Sequence, residues 1–117
     1  MKNKKIVIGT MLLLFAISGI CNITNVSAFT DTIYISPSSY AYYSLGYLDV
    51  GDKLLINEID SDGGIDVIIM NKDQFDAFEG YSFSCEYLWQ DIVYLSGWSF
   101  GISESGDYYY IILWNKA

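Results

Sequence analysis

Residues 108–114 read YYYIILW, an uninterrupted run of aromatic and large aliphatic residues without a charge or a glycine. In a β-strand, successive side chains point to opposite faces, so the even-numbered residues share one face and the odd-numbered residues share the other. Both faces are apolar, which is typical of a strand that is covered on both sides. The run therefore predicts a central β-strand.

The chain before this strand is also rich in strand-forming residues. All 11 tyrosines lie after residue 28, and Tyr, Ile, Val, Phe and Trp favour strands. Turn signals recur at short intervals, as at Gly51-Asp52 and Ser61-Asp62-Gly63-Gly64. This spacing predicts an all-β fold, an antiparallel jelly-roll-like β-sandwich of about eight strands. The predicted strands are 32–36, 40–48, 53–59, 65–70, 81–88, 92–95, 98–102 and 108–114.

One segment carries helical signals instead. Asn71 can cap a helix and Gly80 can end it, which predicts a short helix near residues 72–79. Phe75 and Phe78 are three residues apart and share one face of such a helix. We expect these two rings to cover one end of the sandwich.

The strand before this helix, residues 65–70, reads IDVIIM. A carboxylate is rarely buried without a partner, so we expect Asp66 to face water. The odd-numbered residues of the strand are then predicted to face the core.

The first 28 residues have the three parts of a secretory signal peptide. Three lysines within residues 1–5 precede an uncharged, mostly apolar run at 6–20, and Val26-Ser27-Ala28 offers small residues before a cleavage point. We therefore predict removal of residues 1–28, which leaves one β-sandwich domain at 29–117. An alternative is an uncleaved leader that anchors the chain, although its apolar run of 15 residues is shorter than the ~20 that cross a bilayer.

Cys21 raises a second alternative for the leader, since lipidated leaders are cut just before a cysteine. Such sites normally have a small residue in front of the cysteine, and Ile20 is large and branched. Lipidation is therefore disfavoured. Each of these alternatives places the protein in the same compartment, secreted or in the cell envelope, with membrane contact only through an uncleaved leader.

Length and charge restrict the partners. A chain of 117 residues allows one small domain. Without the leader, 117 − 28 = 89 residues remain, and three lysines against 14 acids give a net charge of 3 − 14 = −11. Such a surface repels polyanions, so we expect no binding to nucleic acid.

The chain lacks two residue types on which much enzyme chemistry depends. It has no His and no Arg, and all six basic residues are lysines. The commonest general base, the usual zinc ligands and a Ser-His-Asp triad are thereby excluded. We expect a protein that is not an enzyme. Cys85 is the single cysteine after the leader, and we favour a buried free thiol over an intermolecular bridge.

The order of short motifs along residues 40–115 resembles that of small β-sandwich modules of secreted and surface proteins. GDKL at 51–54 opens a strand, SDGGIDVIIM at 61–70 joins an acidic turn to an apolar strand, and ESGDYYY at 104–110 leads towards Asn115. This order is similar to that of the bacterial pre-peptidase C-terminal domains and the emp24/GOLD-like sandwiches. The resemblance implies an accessory, non-catalytic module of a kind in which some members bind calcium.

Four acids form a candidate metal site, namely Glu58, Asp60, Asp62 and Asp66. Carboxylates at alternate positions beside the flexible Gly63-Gly64 pair can place several oxygens around Ca²⁺. Calcium is the one cofactor that the sequence suggests. The alternative is a hairpin turn between two strands with solvated acids.

A second candidate site is an aromatic platform for a sugar ring. Trp89 lies in a segment that we interpret as a loop, and Tyr87 and Tyr81 lie near it in sequence, so these three are the candidate ligand-binding residues. Trp98 and Trp114 fit the strand alternation and are expected in the core.

Together these features predict a non-catalytic, secreted or cell-surface β-sandwich module for binding or structural interaction. Its partner would be a protein or a carbohydrate on the cell exterior. The alternative is a carbohydrate-binding module, with or without the assistance of calcium. A third possibility is a homo-oligomer that forms by edge-strand pairing or through a Cys85–Cys85 bridge.

Overall fold

Six strands and one helix make up the described part of the chain, which in this computed structural model covers residues 4–16, 23–80, 83–102 and 106–116. All strand pairs are antiparallel. The prediction of an all-β antiparallel fold with one short helix is confirmed. The elements are β1 (Lys4–Ala16), β2 (Ile23–Ile35), β3 (Ser39–Leu48), β4 (Lys53–Asn71), α1 (Lys72–Glu79), β5 (Tyr87–Gly101) and β6 (Asp107–Asn115).

The sheet is organised around the long strand β4. Along one edge, β5 pairs with both halves of β4, from Lys53 opposite Gly101 to Ile69 opposite Tyr87. Along the other edge, β1 pairs with the first half of β4 and β6 pairs with the second half. β2 extends the sheet beyond β1, and β3 extends it beyond β6. One sheet therefore has two four-stranded halves that share β4 and β5.

The two halves face each other because β4 and β5 bend. The register between them shifts between Asp60 and Ile65, where two glycines allow an irregular backbone. In β5, Asp91 has a positive φ of 53°. Nine residues of a straight strand span about 30 Å, yet the ring centroids of Trp89 and Trp98 in β5 lie 4.5 Å apart. The sheet therefore curls into a sandwich.

Two hydrophobic clusters lie on opposite faces of β4 and β6. The larger cluster fills the space between the two halves and includes Ile59, Val67 and Ile111. The smaller cluster lies on the outer face, where Ile68 and Ile112 are buried beneath α1. β6 lies between β4 and β3 and is covered on both faces, as its sequence predicts.

The described sheet has six strands instead of eight, because three predicted breaks do not end a strand and β1 is not among the predicted strands. Residues 53–59 and 65–70 both belong to β4, and residues 87–88, 92–95 and 98–101 all belong to β5. The Ser61–Gly64 segment is an irregularity within β4, so the prediction of a hairpin turn there is wrong. β5 pairs on both sides of this irregularity, which holds the two parts of β4 in one continuous strand.

Helix α1 forms as predicted and begins with a reciprocal cap. The backbone N of Gln74 donates to Asn71 Oδ1, and the backbone N of Asn71 donates to Gln74 Oε1, both at 2.9 Å. Gly80 follows the last turn. Phe75 is buried and stacks on Tyr110, with ring centroids 4.2 Å apart and planes 9° apart. The helix thus covers the outer face of β4 and β6, and not an end of the sandwich.

Asp66 is buried, contrary to the expectation that it faces water. Asp66 is 3% exposed, and its carboxylate Oδ2 lies 2.8 Å from Lys116 Nζ. The backbone N of Asp91 donates to Oδ1 at 3.3 Å. Both faces of this part of β4 are buried. The Asp66 carboxylate is therefore stabilised by an ion pair and a hydrogen bond instead of by solvent.

The predicted leader contributes strands to the described structure. Residues 4–16 form β1, and residues 23–35 form β2 across the predicted cleavage point at Ala28. Removal of residues 1–28 stays a prediction, and Cys21 lies outside the described residues. In the described part of the chain, no helix combines the length and the apolar character needed to cross a membrane.

Candidate functional site

The outer strand β5 presents an extended surface with several exposed apolar side chains. It has 15 residues and a single charged side chain, Asp91. Among the described strands it pairs with β4 alone. Leu88, Val93 and Tyr94 are exposed along it. A long, nearly uncharged edge strand is a template on which another polypeptide strand can pair.

Four aromatic rings close the core beneath this edge. Tyr87 and Trp89 come from one end of β5, and Trp98 and Phe100 come from the other end. The ring centroid of Tyr87 lies 5.0 Å from the ring centroid of Trp98 and 5.0 Å from that of Phe100, and both contacts are edge to face. Trp89 and Trp98 meet edge to face at 4.5 Å. These contacts join the two ends of β5, which pair with opposite halves of β4.

The structure places Trp89 in a strand and not in a loop. Its side chain is half-buried against the main core, as is that of Trp98. Tyr87 is 44% exposed and stacks on Trp89, with centroids 6.0 Å apart and planes 17° apart. Tyr81, the third predicted ligand residue, lies outside the described residues. Tyr87 is therefore the most accessible ring among the described candidates.

The other aromatic residues are distributed elsewhere. Trp114 packs in the smaller cluster, edge to face with Phe78 at 5.7 Å. Tyr42 contacts Phe75 of the helix at 4.7 Å. These rings support α1 and lie apart from the rings of β5.

Three of the four candidate calcium ligands have separate partners. Glu58 Oε2 accepts a hydrogen bond from the Tyr94 hydroxyl at 3.3 Å, and Asp62 Oδ1 accepts one from the backbone N of Lys5 at 3.0 Å. Asp60 is exposed, and Asp66 is buried in its ion pair. Within the described residues, no group of three or more acids, cysteines or histidines is arranged to hold a metal ion.

Three described ionisable groups, Lys72, Cys85 and Lys116, have raised pKa values. The hydrogen bond to Asp66 raises the pKa of Lys116 above its ordinary value of 10.5. Burial raises the pKa of the Cys85 thiol above 9.0, and the nearby charge of Glu86 adds to this shift. Cys85 is a partly buried free thiol beside the smaller cluster. It is therefore a weak nucleophile at neutral pH.

Two features of the structure were not predicted from the sequence. The exposed apolar pair Val93 and Tyr94 had a detectable signal, since residues 87–101 contain one charge in an otherwise acidic chain. Asn115 is fully buried, and its Nδ2 donates to the carbonyl of Ile35 at 2.9 Å, which ties the end of β6 to the end of β2. A buried amide at the end of an apolar strand indicates a hydrogen-bond partner but does not identify it.

Neither a protein-family model, nor a curated protein, nor a solved structure matches this chain. The resemblance to pre-peptidase C-terminal and GOLD-like sandwiches therefore stays a prediction.

Proposed function

We propose that the protein is a non-catalytic module of the cell exterior that binds another protein molecule along the edge of β5. The supporting observation is the surface of that strand, which has exposed apolar side chains, one charge and a pairing partner on one side only among the described strands. A strand added along this edge would gain backbone hydrogen bonds and cover Val93 and Tyr94.

The partner in this proposal is a second copy of the chain. Two copies with a formal charge of −8 each repel one another. Approach along β5 brings few like charges together, because Asp91 is its single charged residue. Two antiparallel β5 strands related by a two-fold axis present the same surface to each other, as a closed dimer requires.

Sedimentation of the full chain over a wide concentration range tests this proposal. The buffer contains a reductant, so that a Cys85 bridge makes no contribution. We expect a reversible monomer–dimer equilibrium. Val93→Asp should weaken the dimer at least about tenfold, because it places two like charges close together near the two-fold axis.

Val50→Asp is the matched control. Val50 is 49% exposed and Val93 is 52% exposed, but Val50 lies in the turn between β3 and β4. The control variant should dimerise like the wild type. A chain that stays monomeric at every concentration, or equal effects of the two substitutions, would contradict the proposal.

A carbohydrate ligand is the second candidate, favoured by the half-exposed Tyr87 stacked on Trp89. Titration with cellohexaose, a soluble chain of glucose units, should then change the tryptophan fluorescence in a saturable way. Tyr87→Ala should abolish the change, while Tyr34→Ala, which removes an exposed ring on β2, should preserve it. No saturable change with the wild type would remove this candidate for glucose polymers.

A further inference from the structure

β1 occupies a position between two other strands. It pairs with β2 from Lys4 to Ala16 and with β4 from Ile6 to Leu14. Ile6 is completely buried in the main core. The backbone N of Lys5 donates to Asp62 on β4. The first half of the sheet therefore depends on β1 for its continuity.

β1 also lies entirely within the leader that the sequence predicts to be removed. Without it, the remaining part of β2 and residues 53–61 of β4 would face each other across the width of one strand. Neighbouring strands lie about 4.8 Å apart, so this gap would be about 9.6 Å wide. Both of its edges would carry unpaired backbone groups, and the position of Ile6 would be empty.

The flanks of this gap are held in place by other contacts. Ile35 at the end of β2 is buried, and its carbonyl accepts the hydrogen bond from Asn115. β4 pairs with β5 along its opposite edge. β2 runs parallel to β4, because each is antiparallel to β1. β2 would therefore have to leave its anchor on β6 to close the gap.

We propose that in the processed chain an extended segment of a partner protein fills this gap, antiparallel to both flanking strands. The inference rests on cleavage after Ala28 and is independent of the β5 edge. The segment places an apolar side chain where Ile6 lies. It carries positive charge near its start, because that end lies against Asp60 and Asp62 in a domain of net charge −11. β1 itself has this character, with Lys4 and Lys5 before its apolar run.

A second copy fits this gap poorly. If β4 of another copy entered it, β5 of that copy would follow on the far side, where β2 already lies. Donation of residues 29–35 by another copy would break the contact between Ile35 and Asn115. A single strand with no sheet neighbour of its own is the occupant that satisfies both edges.

Strand exchange in the full chain tests the inference. A protease site is introduced within residues 17–22, and the folded chain is cut there in mild urea. A fluorescent peptide with the sequence of residues 2–14 is then added as the probe. We expect saturable incorporation of the peptide in place of residues 1–16. An Ile6→Val peptide should compete about equally, and an Ile6→Asp peptide at least about tenfold more weakly, because it would bury a carboxylate in the core.

Three outcomes would overturn the inference. First, the cut chain could fail to incorporate the peptide. Second, the Val and Asp peptides could compete equally. Third, cut chains could associate with one another in a way that the peptide does not reverse.

If the cut chain unfolds, hydrogen exchange on the uncut Ile6→Asp chain tests the inference instead. Amides at 53–61 should exchange faster while those at 66–71 stay protected, and equal exchange in both halves would count against a separable gap.

Discussion

Asp66 and Lys116 form an ion pair whose two members differ in burial. Asp66 is buried, whereas the side chain of Lys116 is 42% exposed. Loss of the lysine leaves a carboxylate without a countercharge in the protein interior, while loss of the acid leaves a lysine that water can solvate. The two substitutions should therefore have unequal effects on the free energy of unfolding.

We expect Asp66→Asn to lower the free energy of unfolding by about 1 kcal/mol, because the amide can still accept from the backbone N of Asp91. Lys116→Met should lower it more, and addition of Asp66→Asn to Lys116→Met should restore part of the loss. Urea denaturation at neutral pH measures all three variants. A neutral Lys116→Met substitution would contradict the role of the pair.

The same pair predicts a pH dependence. The raised pKa of Lys116 means that its stabilising contribution is complete below pH 10.5 and disappears as the pH rises through the higher value of the folded state. Other groups titrate in this range, so the wild type is compared with Lys116→Met. Their difference in stability should be constant from pH 7 to 9 and should shrink above pH 10.5. A difference that grows with pH would contradict the assignment.

Gly106 lies against the ring of Tyr47. A Cβ atom at this position would come within 2.5 Å of the Tyr47 hydroxyl oxygen. Tyr47 is half-exposed and packs edge to face on Tyr108 at 5.3 Å, so the ring can move at the cost of that contact. Gly106→Ala should destabilise the chain by about 1 kcal/mol in thermal or urea unfolding. In a Tyr47→Ala background the same substitution should cost nothing, and an unchanged cost there would exclude the clash as its cause.

At the scale of elements, α1 shows how a local cap supports a tertiary contact. Asn71 makes both hydrogen bonds of the cap with Gln74, and its Nδ2 also donates to Glu86 at 3.2 Å. Asn71→Ala should lower the free energy of unfolding by about 1 kcal/mol and loosen the packing of Phe75. Lys72→Ala is the control, because it removes only an exposed pair with Asp76 and should have the smaller effect. The opposite order would show that the cap is unimportant.

The helix and the last strand could be predicted because their signals are local. Asn71, Gly80 and the spacing of the two phenylalanines lie within ten residues, and residues 108–114 identify a buried strand unaided. The continuity of β4 could not be predicted in this way. Gly63-Gly64 suits a hairpin turn and a β-irregularity equally well, and the outcome depends on whether β5, more than twenty residues later, pairs on both sides.

The same limitation applies to the candidate site. The sequence predicts Trp89 in a loop and Trp98 in the core, and only the bend of β5 brings their rings together. Asp66 appeared solvated because its partner Lys116 lies fifty residues away. Contacts of this kind depend on topology, which alternation and turn signals do not specify.

At the scale of the whole molecule, the dominant electrostatic feature is the excess of acids. Six lysines against 14 acids give a formal charge of −8, so the folded chain repels itself. Added salt screens this repulsion and should raise the melting temperature of the full chain whatever the cation. A calcium site formed by Glu58, Asp60, Asp62 and Asp66 would instead give a stabilisation that saturates at low concentration and is specific to Ca²⁺.

Thermal melts with CaCl₂, MgCl₂ and NaCl at matched ionic strength separate these two effects. We expect CaCl₂ and MgCl₂ to raise the melting temperature equally, and Asp62→Asn to respond like the wild type. The physical reason is that Glu58, Asp62 and Asp66 have different partners, and Asp66 is already neutralised by Lys116. A larger rise with calcium than with magnesium that Asp62→Asn abolishes would establish the predicted site.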